Sequence, residues 1–319
     1  MEACEGQGGI SAKIICDSLS PSGVRLTTLE LNYHRYIHSE FMTHRMLSRN
    51  ASSSRAVPIQ KNIEQVMTDC AMPISWGKNQ AGMQAREECN AKVSLDWDYY
   101  NDCEVVGSRE DAWKEAAGNA ASTARSFEYA GYHKQVVNRL LEPFQFIKVI
   151  VTATEWDNFF SLRLHVDAQP EIALLASKMR EAMEGSTPEP LQPGEWHLPY
   201  VTTTRKEYDN SQEFWSEGYD TAGLSEQEAI NCSVARCARV SYMNHDASFP
   251  NWEKDQELAK RLLASGHMSP FEHQATPMDS VGERWYDASL WQEGITHLDN
   301  EQHFWSGNFR GFLQHRQML

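Results

Sequence analysis

Apolar and polar positions divide the chain into patterned and unpatterned stretches. Residues 24–31, Val-Arg-Leu-Thr-Thr-Leu-Glu-Leu, alternate in part, which predicts a half-buried strand. A His- and aromatic-rich run follows at 32–42, then an Arg/Ser/Asn stretch at 43–55. Residues 56–108 mix Pro, Gly, Asn and Trp without a period and read as a long loop region with short elements. Such loops in compact domains are usually lids or binding loops. Residues 109–141 are Ala-rich with Trp113, Ala116 and Ala120 at helical spacing, and Pro143 punctuates them. Residues 147–154 are β-branched and fit either a strand or the start of a buried helix. Residues 168–183 predict an amphipathic helix with Ile172, Leu175, Met179 and Met183 on one face and Gly185 at its end. Residues 186–228, rich in Pro, Gly, Trp and acidic side chains, read as a linker. A last helix is expected over 253–265, with Leu258, Leu262 and Leu263 inward and Gly266 just past its end.

Composition narrows the class. With 319 residues the chain is one large domain or two small ones. At 41% hydrophobic and 10% aromatic it can bury a core, which excludes a largely disordered chain. No apolar run approaches the roughly 20 residues that span a bilayer. The opening Met-Glu-Ala-Cys-Glu-Gly lacks the basic and apolar regions of a signal peptide, so a cytoplasmic protein is expected, with no membrane partner. Twenty-nine basic against 44 acidic residues give −15, which speaks against nucleic acid as a partner. Arginines within an acidic shell can still hold a small anion. The seven cysteines include no Cys-x-x-Cys pair, and their odd count points to free thiols.

Four short segments concentrate chemically useful side chains. Residues 43–55 hold Arg45, Arg49 and Arg55 with His44, Ser48, Asn50 and Ser53. Guanidinium groups grip phosphate bidentately and the hydroxyls and amide add neutral donors, although a solvated Ser/Arg loop has the same composition. Asn158 and Arg163 sit in an apolar run, where an arginine needs an anionic or carbonyl partner. That partner is either a ligand or Glu171 in the following helix. Residues 235–242 carry Arg236, Cys237, Arg239 and Ser241, and residues 266–273 carry His267, Ser269, Glu272 and His273. His-x5-His with an intervening proline is not a recognised ligand spacing, so no metal is expected. A turn presenting His267 and Ser269 to a ligand competes with simple helix-end capping.

Together these segments resemble the flavin-dependent thymidylate synthases. That family carries Arg-His-Arg-x-x-Ser-x-Asn-x-x-Ser-x-Arg, matched here by Thr43, His44, Arg45, Ser48, Asn50, Ser53 and Arg55 with the first arginine replaced. Its Asn-Phe-x-x-Leu-Arg and Ala-Gln-x-Glu-Ile segments resemble residues 158–163 and 168–172, and Arg139-Leu-Leu-Glu-Pro143 is similar to its Arg-x-x-Leu-Pro. Residues 238–242 and 266–273 resemble its Ala-Arg-Val-Ser and Gly-His-x-Thr-Pro-Phe-Glu-His segments. In the family those two come first. The order here implies circular permutation, with 186–228 joining the ancestral ends, 56–130 as an insertion, and 1–319 as one catalytic domain. The echo of residues 40–45 in residues 311–316 fits a duplication scar at the cut.

The resemblance implies an α+β fold, flavin-dependent thymidylate synthase-like, with a central mostly antiparallel sheet flanked by helices in circularly permuted order. It implies synthesis of dTMP from dUMP with methylenetetrahydrofolate as one-carbon donor, NADPH as reductant and FAD as cofactor, in a homotetramer with sites shared between subunits. By position, Arg163 would face the pyrimidine and act catalytically. Ser53, Arg55 and Arg139 would hold dUMP, with Glu40 at a glutamine position of the family. His44, Arg45, Asn50, Asn158, Ser241, His267 and Ser269 would contact FAD. Thr43 removes a family arginine, for which Arg49 or the C-terminal Gln314, His315 and Arg316 are the candidate substitutes. Thr154 and Asp167 also depart from the pattern. These departures keep two alternatives open, a flavin-dependent dUMP hydroxymethylase and a non-catalytic nucleotide-binding relative.

Overall fold

The computed structural model describes residues 2–98, 103–215, 223–240, 251–279 and 287–319. The first part of the chain forms β1 (Cys4–Glu5), β2 (Ser11–Leu19), β3 (Arg25–His34), α1 (His38–Phe41) and β4 (Ser48–Ala51). Next come α2 (Ile59–Thr68), the antiparallel pair β5 (Val93–Asp98) and β6 (Cys103–Gly107), α3 (Arg109–Tyr129), α4 (Lys134–Val137) and β7 (Phe146–Ala153). Then follow α5 (Asp157–Arg163), α6 (Pro170–Glu184), β8 (Glu189–Pro190), β9 (Thr202–Arg205) and β10 (Gln212–Trp215). The remainder holds α7 (Glu226–Arg239), α8 (Trp252–Ala264), β11 (Ala275–Pro277), β12 (His297–Leu298), β13 (Phe304–Ser306), β14 (Phe309–Arg310) and β15 (Phe312–Gln314).

The central sheet runs β1-β2-β3-β7-β4, antiparallel throughout, with β8 parallel to β2 along the same edge as β1. The expected mixed fold around a mostly antiparallel sheet is therefore present. The open choice for residues 147–154 resolves to β7, whose β-branched side chains suit a strand hydrogen-bonded to β3 on one side and β4 on the other. Both faces of this sheet are covered, which is why the alternation in β3 is only partial. Leu29, Leu31 and Tyr33 join Val149 and Val151 beneath α6, which contributes Ile172, Leu175 and Met179. Pro170 opens α6 at its first turn, where a missing N–H costs nothing. Thr28, Glu30, Ile150 and Thr152 face the other way, toward the C-terminal part of the chain; Ile150 packs on Cys237 and Val240.

A bulge between Ile14 and Cys16 switches the side-chain parity of β2. Before it, Ala12 and Ile14 point into the helical core; after it, Ser18 points to the second face. There a buried row of hydrogen bonds crosses the sheet. Ser18 Oγ bonds His197 Nδ1, Thr28 Oγ1 bonds His197 Nε2, and both contacts are 2.8 Å. Thr28 Oγ1 lies 2.7 Å from Thr152 Oγ1, which lies 2.8 Å from His273 Nδ1. Burial pushes the pKa of both histidines down to about 3, so each is neutral.

The C-terminal part packs α7 on α8 over Ala229, Ile230, Val234, Ala259 and Leu262. Asp255, fully buried on α8, receives Arg236 at 3.1 Å and Arg239 from α7. Gly266 follows α8 with φ +71°, as a C-terminal glycine stop requires. Leu263, expected inward, is exposed, because its neighbour Leu262 takes the core-facing position. Residues 56–108 hold short elements in a long loop region: α2, β5 and β6 are set between irregular stretches, and α2 buries Ile59, Ile63 and Val66 against Ala117, Ala121 and Ala124 of α3. One further expectation changes. The helix expected over 109–141 begins in a Ser108–Asp111 capping box but ends at Tyr129, with a short helix and a 3-10 turn beyond it. Within 186–228, Trp196, Leu198, Val201 and Phe214 join the α7–α8 core. No described helix is long and apolar enough to cross a membrane.

Candidate active site

Arg163 ends α5, where a cation complements the helix C-terminus, and its side chain is four-fifths covered. Its Nε donates to His44 Nε2 at 2.8 Å, and Nη2 donates to Thr43 Oγ1 at 3.3 Å. The Glu40 carboxylate lies 3.6 Å from Nη1. A guanidinium only donates, so His44 presents an Nε2 lone pair and carries its proton on Nδ1. Burial, then the Arg163 and Arg49 charges, lower the His44 pKa to about 4, which keeps the ring neutral. The ring also stands edge-on to Phe159, centroids 4.9 Å apart. Glu40 and His44, neighbours in the chain, thus meet Arg163, 119 positions beyond His44, at one point. Glu171, the structural alternative for Arg163, instead bonds Tyr36 and the Ile74 amide.

One residue further along the same loop, Arg45 lines a cleft of about 420 Å³. Its other walls include Arg49, Glu272, Asn308, Gln314 and Arg316. Arg49 braces the loop: its Nη1 donates to the carbonyls of Phe41, Met42 and His44 at 2.9–3.3 Å. Arg316 pairs with Glu272. Gln314 Nε2 bridges the Glu272 carbonyl at 3.0 Å and Ser48 Oγ at 3.2 Å. Among the described residues Arg45 has neither an ion pair nor a hydrogen bond. His315, a candidate flavin contact, does not line the cleft: it is buried between Trp196 and Phe271, and burial lowers its pKa to about 4.

The remaining candidates take other places. Ser53 precedes the turn Ser54–Ala56 that carries the exposed Arg55. Ser54 Oγ donates to Glu142 at 2.6 Å, Arg139 pairs with the same carboxylate at 2.8 Å, and Arg35 approaches it at 3.9 Å. No hydrogen bond or ion pair among the described residues joins this group to Arg163. Asn50 is buried on β4 with its amide 3.5 Å from the Cys237 carbonyl. Asn158 is exposed in the first turn of α5. His267 and Ser269 are exposed beyond α8, with His267 Nδ1 3.1 Å from Ser265 Oγ. Ser241 lies outside the described residues. Of the departures, Thr154 Oγ1 accepts the Arg310 amide and Asp167 pairs with Arg86 at 2.9 Å.

Sequence reading singled out Glu272 in its segment but assigned it no place in the site, and it missed Glu142 and Asn308. The Arg139–Glu142 spacing of three was visible in the chain, but nothing local links Asn308 to Ser48, 260 positions away. Cys237, the thiol within a matched segment, is fully buried, and burial raises its pKa strongly, so it offers no nucleophile.

The family model for thymidylate synthase complementing protein matches residues 20–189, more than half of the chain. The chain belongs to that family. Membership makes it a methyltransferase-type enzyme, and the matched span contains Arg163, His44, Arg45, Arg55 and Arg139. Gln314 lies beyond the span, yet bonds Ser48 of β4 within it and the Glu272 carbonyl of the 266–273 segment. Among solved structures, a UMP/dUMP methylase PolB from Streptomyces cacaoi bound with 5-Br UMP is similar at 15% identity and TM-score 0.36. That match covers 56% of this chain and 89% of the other. A flavin-dependent thymidylate synthase ThyX from Helicobacter pylori, complexed with FAD and dUMP, is similar at 14% identity and TM-score 0.32. It covers 50% of this chain and 67% of that one. No curated protein matches.

Proposed function

We propose that this chain is a flavin-dependent thymidylate synthase, converting dUMP to dTMP with methylenetetrahydrofolate as one-carbon donor and NADPH as hydride source. The observation that carries the reading is Arg163, oriented by a neutral His44 beside an arginine-lined cleft, within the span that matches the family. His44 accepts from Nε and leaves the Nη groups of Arg163 to face a pyrimidine whose ring gains negative charge as it reacts. Glu40 holds the guanidinium until the nucleotide displaces it. His44 therefore positions Arg163 rather than touching the flavin. Ser53, Arg55 and Arg139 bind the nucleotide phosphate, in a site that a second copy completes in a tetramer.

An arginine cleft with amides on its rim fits the diphosphate of FAD. Arg45 and Arg316 would hold it, with Asn50, Asn158, His267 and Ser269 around the rest. Bound flavin supplies the redox chemistry; the chain binds, orients and screens. His315, buried, supports the turn from behind. The permuted order is part of the proposal, with 186–228 joining the old ends and the 266–273 segment returning to β4 from the far side of the sequence.

The test combines purified protein with dUMP, methylenetetrahydrofolate, NADPH and FAD, and weighs the nucleotide product by mass spectrometry. A gain of one methyl group is expected. A hydroxymethyl product, in which water replaces the hydride, would move the enzyme to the second reading. Retention of flavin with no turnover would leave a nucleotide-binding relative.

A further inference from the structure

Thr43 removes one cation from the 43–55 loop, and two further arginines, Arg49 and Arg316, line the cleft that Arg45 enters. Arg49 is committed: swinging it away would leave the carbonyls of Phe41, Met42 and His44 without their donor. Gln314 is committed in the same way, between Ser48, Asn308 and the Glu272 carbonyl. Arg316 is different. It reaches the cleft from the C-terminal turn His315–Met318, is well exposed, and its partner is another cleft-lining side chain, the carboxylate of Glu272. The cleft thus holds two adaptable cations, Arg45 and Arg316, and one anion already seated on one of them.

We infer that Arg316 is the second cation of this cleft and that Glu272 is a built-in competitor, occupying Arg316 until a diphosphate-bearing ligand displaces it. The inference rests on the flavin reading for the identity of that ligand, but not for the anion site itself. The carboxylate keeps the arginine paired and oriented in the free protein. It must yield its place when a ligand with greater negative charge arrives, so its removal strengthens binding instead of weakening it. That sign separates a competitor from an ordinary structural ion pair.

Titration calorimetry with inorganic pyrophosphate, and separately with FAD, tests this on the full chain. Glu272→Gln is expected to tighten pyrophosphate about tenfold, Arg316→Gln to weaken it about tenfold, and Arg316→Lys to retain most of the affinity. Circular dichroism and the urea midpoint of each variant report whether it is folded. Weaker or unchanged pyrophosphate binding by folded Glu272→Gln overturns the competitor role. Unchanged binding by Arg316→Gln overturns the second cation, and absence of binding by both wild type and Glu272→Gln overturns the site. If pyrophosphate responds as expected while FAD does not bind, the anion site stands and the flavin reading fails.

Discussion

The buried histidine row predicts an acid-labile fold of definite size. His197 and His273 have their pKa values driven from 6.5 to about 3 by burial, with each ring bonded to a threonine hydroxyl. For a base whose folded pKa is depressed, the unfolded chain binds more protons. Stability is therefore complete above about pH 6.5 and falls as the pH drops from there toward 3. At pH 5 an unfolded histidine is almost fully protonated while these two are not, and linkage gives roughly 2 kcal/mol for each, about 4 kcal/mol for the pair. That is a large share of the roughly 5–15 kcal/mol typical of a folded domain. The assay is urea unfolding at pH 7 and pH 5 for wild type and for His197→Gln/His273→Gln. The variant loses stability at pH 7, since buried hydroxyls lose partners, but its loss between pH 7 and 5 should be smaller than wild type by about 4 kcal/mol. The other histidines with depressed values, His34, His38, His44 and His315, are common to both proteins and cancel in the comparison. Equal pH dependence in the two proteins would refute the reasoning.

Other expectations follow from single contacts. Arg163→Ala should lower kcat by about 10²–10³ while FAD stays bound, and Arg163→Lys should not restore it, because lysine has no Nε to hold against His44. Steady-state rates and bound-flavin absorbance check both. Asp255→Ala leaves the buried Arg236 and the partly buried Arg239 without their carboxylate and should cost about 3–5 kcal/mol in urea unfolding. Most of that loss should return in Arg236→Met/Arg239→Met/Asp255→Leu, which removes all three charges; a triple variant no more stable than the single one counts against the account. Gly266→Ala should cost about 1 kcal/mol through its φ of +71° alone, since a Cβ there meets nothing within 4 Å. A larger loss would point to packing that the geometry does not contain.

Local chemistry made much of the scaffold readable. Pro170, the Ile172–Leu175–Met179 stripe and Gly185 mark α6 almost to the residue. The family motif at 43–55 and Arg163 are likewise written in consecutive positions. What failed had physical causes. The bounds of α2 within the 56–108 loop region were not legible, because only one stripe of this short helix touches α3. Leu262 and Leu263 look alike in sequence, but a helix turns about 100° between neighbours, so only one of them can face the core.

The sequence alone determined the elements with strong local periods, the acidic surface, and which side chains are available for anion chemistry. The tertiary structure decided how they are used. Arg49, Arg316 and Arg163 are the same chemical group, and only their surroundings distinguish a brace on three carbonyls, a cation held by Glu272, and one aimed by a neutral histidine. His315, in a promising motif, is turned into the core, whereas Gln314 beside it reaches Ser48 across 266 positions of sequence. Local propensity acts over a few residues, while burial, hydrogen-bond geometry and charge pairing act between whichever residues the folded sheet brings together.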